Sequence, residues 1–202
     1  MKHRDTRASP GPHRDGAVAR KLPCASRAST VCDMDSFVYT LPSDPLARPL
    51  IDDLARDYDE RYGLNDGVPS SFELQRYPAE LFGPGTGGAF VLLVRDGQAI
   101  AGGAFKRNSA SIAEAKRVWT HPEFRRQGLA RLVMRELERE AAARGYTSME
   151  LTTGARQPEA LGLYRTLGYT PSFDLEADYE EIGYLGFSKT LVGDTPDAAA
   201  PV

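Results

Sequence analysis

Residues 113–145 carry the pattern that most narrows what this chain can become. A strand-like run, AEAKRVWT at 113–120, halts at Pro122, and an apolar helical stripe then runs through Leu129, Leu132, Val133, Leu137 and Ala141 to a closing Gly145. Alternation with a period of two gives way to a period near 3.6, so a strand feeds a helix through a short turn. The start of a helix, with its unpaired backbone N–H groups, is thereby brought to one end of a sheet.

The flanking segments obey the same punctuation. Residues 36–41 (SFVYTL) read as a strand. Asp44-Pro45 opens a helix whose Leu46, Leu50, Leu54, Tyr58 and Tyr62 recur every fourth position until Gly63. A polar loop and a weaker helical patch at 72–81 lead into a Gly/Pro-rich connection at 83–88, expected to be flexible. Residues 89–95 and 98–105 form a hairpin about Asp96-Gly97, a pair suited to the positive φ angles of a two-residue turn. Residues 147–153 are a strand, Pro158 opens a helix with Ala160, Leu163, Tyr164 and Leu167 on one face and Gly168 at its end, and 182–191 is a last strand.

Composition bounds the rest. Of the 202 residues 41% are hydrophobic, enough for one core, and no run approaches the roughly 20 apolar residues of a membrane helix. The first 33 residues hold seven Lys and Arg against three Asp and Glu and lack apolar periodicity, so 1–33 reads as a disordered basic extension, 34–192 as the domain and 193–202 as a flexible tail. The remainder carries a net charge of −7 (18 − 25), which argues against nucleic acid as a partner. No apolar segment follows the basic start, so no secretory signal and a cytoplasmic location are expected. Both cysteines, Cys24 and Cys32, fall in the extension, and His121 is the single histidine after His13. Thiol nucleophiles and multi-histidine metal sites are therefore excluded from the domain, and no metal is expected.

The turn Arg125-Arg126-Gln127-Gly128-Leu129-Ala130-Arg131 has chemistry of its own. At a helix start the free N–H groups and the positive end of the dipole favour an anion, small residues at 128 and 130 let a pyrophosphate approach the backbone, and three arginines add charge. The spacing matches neither the phosphate loop of nucleotide triphosphatases nor a dinucleotide turn. Without further context the segment reads equally as a solvated basic loop capping a helix.

At these residues the chain resembles the GNAT superfamily of N-acetyltransferases. Arg125, Gly128 and Ala130 match its Gln/Arg-x-x-Gly-x-Gly/Ala signature, residues 118–124 resemble its lead-in strand and turn, and Gln157-x-x-Ala160-x-x-Leu163-Tyr164-x-x-x-Gly168-Tyr169 resembles its Asn-x-x-Ala-x-x-Leu-Tyr-x-x-x-Gly-Phe motif. Gln157 stands where the family usually has Asn, which weakens one side-chain contact to the cofactor. The resemblance covers 36–191 in element order and 114–169 in motif detail.

What the resemblance implies is an α+β, three-layer fold with a mixed, largely antiparallel sheet flanked by helices. Acetyl-CoA is the implied cosubstrate. The loop residues Arg125, Arg126, Gln127, Gly128, Leu129, Ala130 and Arg131 would hold its pyrophosphate, with Gln157 contributing and the backbone of Val118, Trp119 and Thr120 pairing with the pantetheine arm. The strand at 113–120 would splay from that at 147–153 to free this edge, and an amine would attack the thioester directly through the gap. Tyr164 would protonate the departing thiolate, and Glu114, 11 residues before Arg125, would be the base. Taken as residues alone, Tyr164 also fits the core stripe of its helix, Glu114 a polar strand face, Trp119 core packing, His121 a turn, and the acidic cluster at 174–181 a solvated loop or a rim attracting a cation. The expected partner is a small-molecule amine, with a homodimer as an admissible assembly. The competing functions are acetylation of a protein N-terminus or lysine, and a non-catalytic acyl-CoA sensor.

Overall fold

The computed structural model describes residues 18–21 and 35–191. In chain order these form β1 (Val18–Lys21), β2 (Ser36–Thr40), α1 (Arg48–Tyr62), β3 (Leu64–Asn65), β4 (Val68–Pro69), β5 (Ala89–Arg95), β6 (Gln98–Arg107), β7 (Ile112–Thr120), α2 (Leu129–Ala143), β8 (Ser148–Gly154), α3 (Pro158–Thr166), β9 (Thr170–Pro171), α4 (Tyr179–Ile182) and β10 (Tyr184–Thr190). The main sheet runs β1-β2-β5-β6-β7-β8-β10-β9, and β3 and β4 pair apart from it. Every neighbouring pair of the main sheet is antiparallel except β7 and β8. This is the mixed, largely antiparallel sheet that the resemblance implies.

Helices cover both faces. Leu50 and Leu54 of α1 pack with Phe82, Phe90, Leu92 and Trp119 on one side. On the other, Leu129, Val133, Met134 and Leu137 of α2 and Tyr164 of α3 pack with Phe37, Val91, Leu93, Phe105 and Phe187. Burying each such side chain contributes about 1.5–3 kcal/mol before entropy is counted. The layers meet closely at Gly102 and Gly103 of β6: a Cβ at Gly102 would lie 2.7 Å from Leu50, and one at Gly103 would lie 3.0 Å from Val133. Asp44 starts the α1 segment by accepting from the Leu46 N–H at 2.8 Å, with Pro45 next in line. The β5–β6 hairpin turns on Asp96 and Gly97, at φ 48° and 79°.

Several expectations need correction. The extension at 1–33, read as disordered, supplies the edge strand β1, whose residues 18–21 pair with 36–39. Backbone pairing with β2 needs no apolar face, so hydropathy carries no trace of it. The rest of that extension, both cysteines and the tail at 193–202 lie outside the described residues. The helical patch at 72–81 is two 3-10 turns, Ser70–Gln75 and Ala79–Phe82, separated by Pro78. The 83–88 connection is packed: it holds a further turn at Pro84–Thr86, and a Cβ on Gly88 would stand 2.0 Å from the Leu81 carbonyl. Among the described residues no helix is long and apolar enough to cross a membrane.

Candidate functional site

The sheet is split at its centre. β7 and β8 pair only from Ile112–Ser148 to Ala115–Leu151, after which they part. On its other side β7 remains bonded to β6 as far as Thr120, but the register shifts between Gly102 and Ala104, and Arg117 sits opposite that shift with φ 58°. Such a bulge re-aims side chains and increases local twist. The edge of β7 that would face β8 is thus open over Lys116, Arg117, Val118, Trp119 and Thr120. An open edge offers unpaired backbone donors and acceptors to an extended ligand.

The gap belongs to a cavity of about 1380 Å³. Its walls come from β7, the 125–131 turn, the end of β8, α3 and the second half of α1. At the turn, His121 Nδ1 accepts from the Glu123 N–H at 3.3 Å, which gives this histidine a structural role. Arg126 and Gly128 then adopt left-handed angles of 64° and 78°. Hydrogen bonding in α2 starts with the N–H groups of Arg131 and Leu132, both donating to the Gly128 carbonyl. Among the described residues, the N–H groups of Gln127, Gly128, Leu129 and Ala130 therefore have no acceptor. Arg125, Arg126 and Arg131 line the cavity and form no ion pair among the described residues. Unpaired N–H groups, a helix start and unneutralised guanidinium groups suit a pyrophosphate.

Tyr164 reaches the cavity from α3, its ring packed against Tyr169 and Phe187 at 5.9 and 5.6 Å between centroids. Burial holds its hydroxyl well above the ordinary pKa, so it stays protonated and can donate. Gln157 also lines the cavity, but its Oε1 is occupied, accepting from Thr153 Oγ1 at 2.6 Å and the Gly154 N–H at 3.3 Å. Trp119 is 4% exposed, packs in the α1-side core and donates from Nε1 to Asp53 at 3.2 Å.

Glu114 is not part of the cavity wall. Its carboxylate lies between Lys106 and Lys116, 2.5 and 2.7 Å away. Partial burial works to raise its pKa, but the hydrogen bonds from the two lysines outweigh it and hold the carboxyl below the usual range. In the acidic cluster Asp178 caps α4, Asp174 accepts from the Glu176 N–H, and Glu180 pairs with Arg156 at 3.0 Å. Among the described residues no group of three or more His, Cys, Asp or Glu could hold a metal ion.

Other parts of the wall escape sequence reasoning. Tyr58 and Tyr62, which continue the core stripe of α1, face the cavity. Arg61 and Arg156 each donate to the other's backbone carbonyl, Arg61 pairs with Glu159, and the Tyr62 ring lies against Gly154. These contacts tie the end of α1 to the start of α3 across the gap. Arg117 escapes it too, yet leaves a signal: the apolar–polar alternation of Ala113, Glu114, Ala115, Lys116 breaks at Arg117, because a charged residue takes a buried position of the strand.

Comparison with known proteins agrees with this geometry. The profile described as the acetyltransferase (GNAT) family matches residues 51–169. A candidate acyl-CoA N-acyltransferase from Klebsiella pneumoniae superposes with a TM-score of 0.61 at 24% identity, over 79% of this chain and 99% of its own. A GNAT-family acetyltransferase from Staphylococcus aureus gives 0.61 at 12%, over 77% and 99%. The candidate acetyltransferase yncA of Salmonella typhimurium, solved with its cofactor acetyl-CoA, gives 0.56 at 18%, over 84% and 98%. No curated protein matches this chain. Because the profile spans more than half of the sequence, and the parted strands with their anion cradle fall inside it, the chain belongs to the GNAT acetyltransferases, enzymes that use acetyl-CoA as cosubstrate.

Proposed function

We propose that this enzyme transfers the acetyl group to a primary amine of a small molecule by direct attack in a ternary complex. The observation that supports the small-molecule reading is the bridge from Arg61 and Tyr62 to Gly154, Arg156 and Glu159, which joins α1 to α3 on the cavity wall and so narrows the room for a polypeptide. The N–H groups at Gln127–Ala130 and the three arginines fit the pyrophosphate, and the open edge at Val118–Thr120 fits the pantetheine amides.

In this reading a backbone N–H on that edge polarises the thioester carbonyl, the amine nitrogen forms its bond to the carbonyl carbon, and the C–S bond breaks. Tyr164 donates its proton to the departing thiolate. The ammonium proton leaves before attack, to water or to a carboxylate of the wall, and the second proton, shed by the nitrogen as the C–S bond breaks, returns through water to the Tyr164 oxygen, so that the tyrosine is neutral again at the end of the cycle. The lysine clamp and the position outside the wall favour a positioning role for Glu114 over that of a direct base. The test is to incubate the protein with acetyl-CoA and a panel of small amines, N-terminal peptides and lysine peptides, following free thiol. Turnover with small amines is expected. Turnover confined to peptides overturns the substrate class, and acetyl-CoA binding without turnover on any amine overturns catalysis in favour of a sensor.

A further inference from the structure

Among the described residues, Arg117 is the one cation of the cavity wall that is buried and has no carboxylate partner. The residue is 8% exposed, and no carboxylate oxygen lies within 4 Å of its guanidinium among the described residues. Its neighbours are settled differently: Lys106 and Lys116 share Glu114, Arg61 holds Asp57 and Glu159, and Arg156 holds Glu180. Arg117 donates from Nη2 to the Leu74 carbonyl at 2.6 Å and lies over the Phe82 ring at 4.4 Å. A guanidinium has five N–H donors. With one donor committed, and the other nitrogens absent from the buried polar atoms that lack a partner, the remaining donors keep some accessible surface on a residue that lines the cavity.

A buried charge without a carboxylate partner is expensive, and in a cleft such a group is a candidate for binding a ligand of opposite charge. The backbone supports the same reading. Arg117 holds φ 58°, a conformation uncommon for a residue with a side chain, at the bulge that turns β7 away from β8. Burial also lowers the guanidinium pKa, while Tyr58 and Glu73 act to raise it. Glu73 is 40% exposed and already 3.4 Å from Arg76, so water screens it. Leu54, Tyr58, Phe72, Leu74 and Tyr77 give this end of the cavity apolar and aromatic walls.

We infer that Arg117 binds a carboxylate of the acceptor, so that the acceptor is an amine bearing both a carboxylate and an apolar body, as an α-amino acid does. The inference deepens the acetyltransferase reading and rests on it for the amine's role. Because Arg117 immediately precedes Val118, Trp119 and Thr120, the anion would anchor next to the edge at which the thioester is held. A site built to hydrogen-bond a group rejects analogues that lack it far more strongly than an apolar pocket rejects a changed methylene.

The experiment compares matched acceptors on the full chain: phenylalanine, leucine and methionine against their carboxamides and the corresponding amines without the carboxyl carbon, with kcat/KM expressed per free amine. A preference of about 100-fold for the acids is expected. It should collapse to within about threefold in Arg117→Met, recover in part in Arg117→Lys, and leave acetyl-CoA Kd unchanged in both. Equal use of acids and amides by the unaltered protein overturns the inference, as does a preference that survives in Arg117→Met. The first comparison decides the matter even if the variants fail to fold. A second arm measures binding of N-acetylphenylalanine and its carboxamide by calorimetry in the presence of CoA. If nothing is acetylated yet the acid binds far better, the anion site stands and the transfer reading fails. If neither arm favours the acid, the anion site fails whatever the turnover.

Discussion

The two ends of the cavity are assembled in opposite ways. The anion cradle is local: residues 125–131 stand within one turn, and two left-handed residues and a helix start leave the N–H groups of Gln127, Gly128, Leu129 and Ala130 without an acceptor among the described residues. The opposite end gathers Tyr58 and Tyr62 from α1, Phe72 to Gln75 from a 3-10 turn and Tyr77 just after it, Arg117 from a bulge and Arg156 from beyond β8. A local device works wherever a strand delivers a helix start, so its geometry travels with its residues. A wall made of distant pieces exists only once the sheet has split and both helical layers have docked. The first end suits a shared cosubstrate, and the second suits a selective acceptor.

The sharpest way to break this comparison lies where the ends meet. Tyr164→Phe keeps the ring packed against Tyr169 and Phe187, so the melting temperature should barely move, while kcat should fall about 10- to 1000-fold. Steady-state rates beside a thermal melt check this, and full activity returns Tyr164 to the core stripe. Gly128→Val should act on the cofactor end alone. A Cβ there has open space, so the damage comes from forcing φ 78° on a branched residue and from hindering approach to the backbone. Acetyl-CoA Kd should rise at least tenfold, about 1.4 kcal/mol, by calorimetry. An unchanged Kd with the fold intact would show that the cradle is not the binding site.

Arg61→Ala removes the pairing with Asp57 and Glu159 and the donation to the Arg156 carbonyl. It should leave acetyl-CoA affinity alone and raise acetylation of peptide amines severalfold relative to small ones, read as a ratio of kcat/KM. No change in that ratio would mean that the bridge does not gate the acceptor. The smallest effect is expected for Glu114→Gln, with kcat/KM altered by less than about threefold because the carboxylate lies outside the wall. Its effect should appear in stability. The folded pKa of Glu114 lies below its ordinary value of 4.5, so its stabilisation is complete above that value and lost as pH falls through the folded one. Melting temperatures of the variant and the parent should differ at neutral pH and converge as pH falls below 4.5 and through the folded pKa. A large loss of kcat/KM that eases at high pH would instead make Glu114 the base.

What could be read from residues alone follows the range of the forces involved. The hairpin about Asp96-Gly97, the α2 stripe and the helix start at Asp44-Pro45 are written in neighbouring positions, because turn geometry and helical periodicity act over a few residues. The 125–131 turn was legible for the same reason. β1 was not, since backbone pairing leaves no mark in hydropathy, and neither was the packing of 83–88, where Gly88 is squeezed against Leu81. In the stripe of α1, Leu50 and Tyr58 look alike by spacing and pack with the same core, and only the split between β7 and β8 puts the second on the cavity wall as well. Arg117 shows the limit most plainly. Its break in the strand alternation marks a charge on the buried face, but whether that charge meets water, a carboxylate or an empty wall depends on Leu74 and Phe82, more than thirty positions away, and electrostatics in a folded interior is a property of such neighbours.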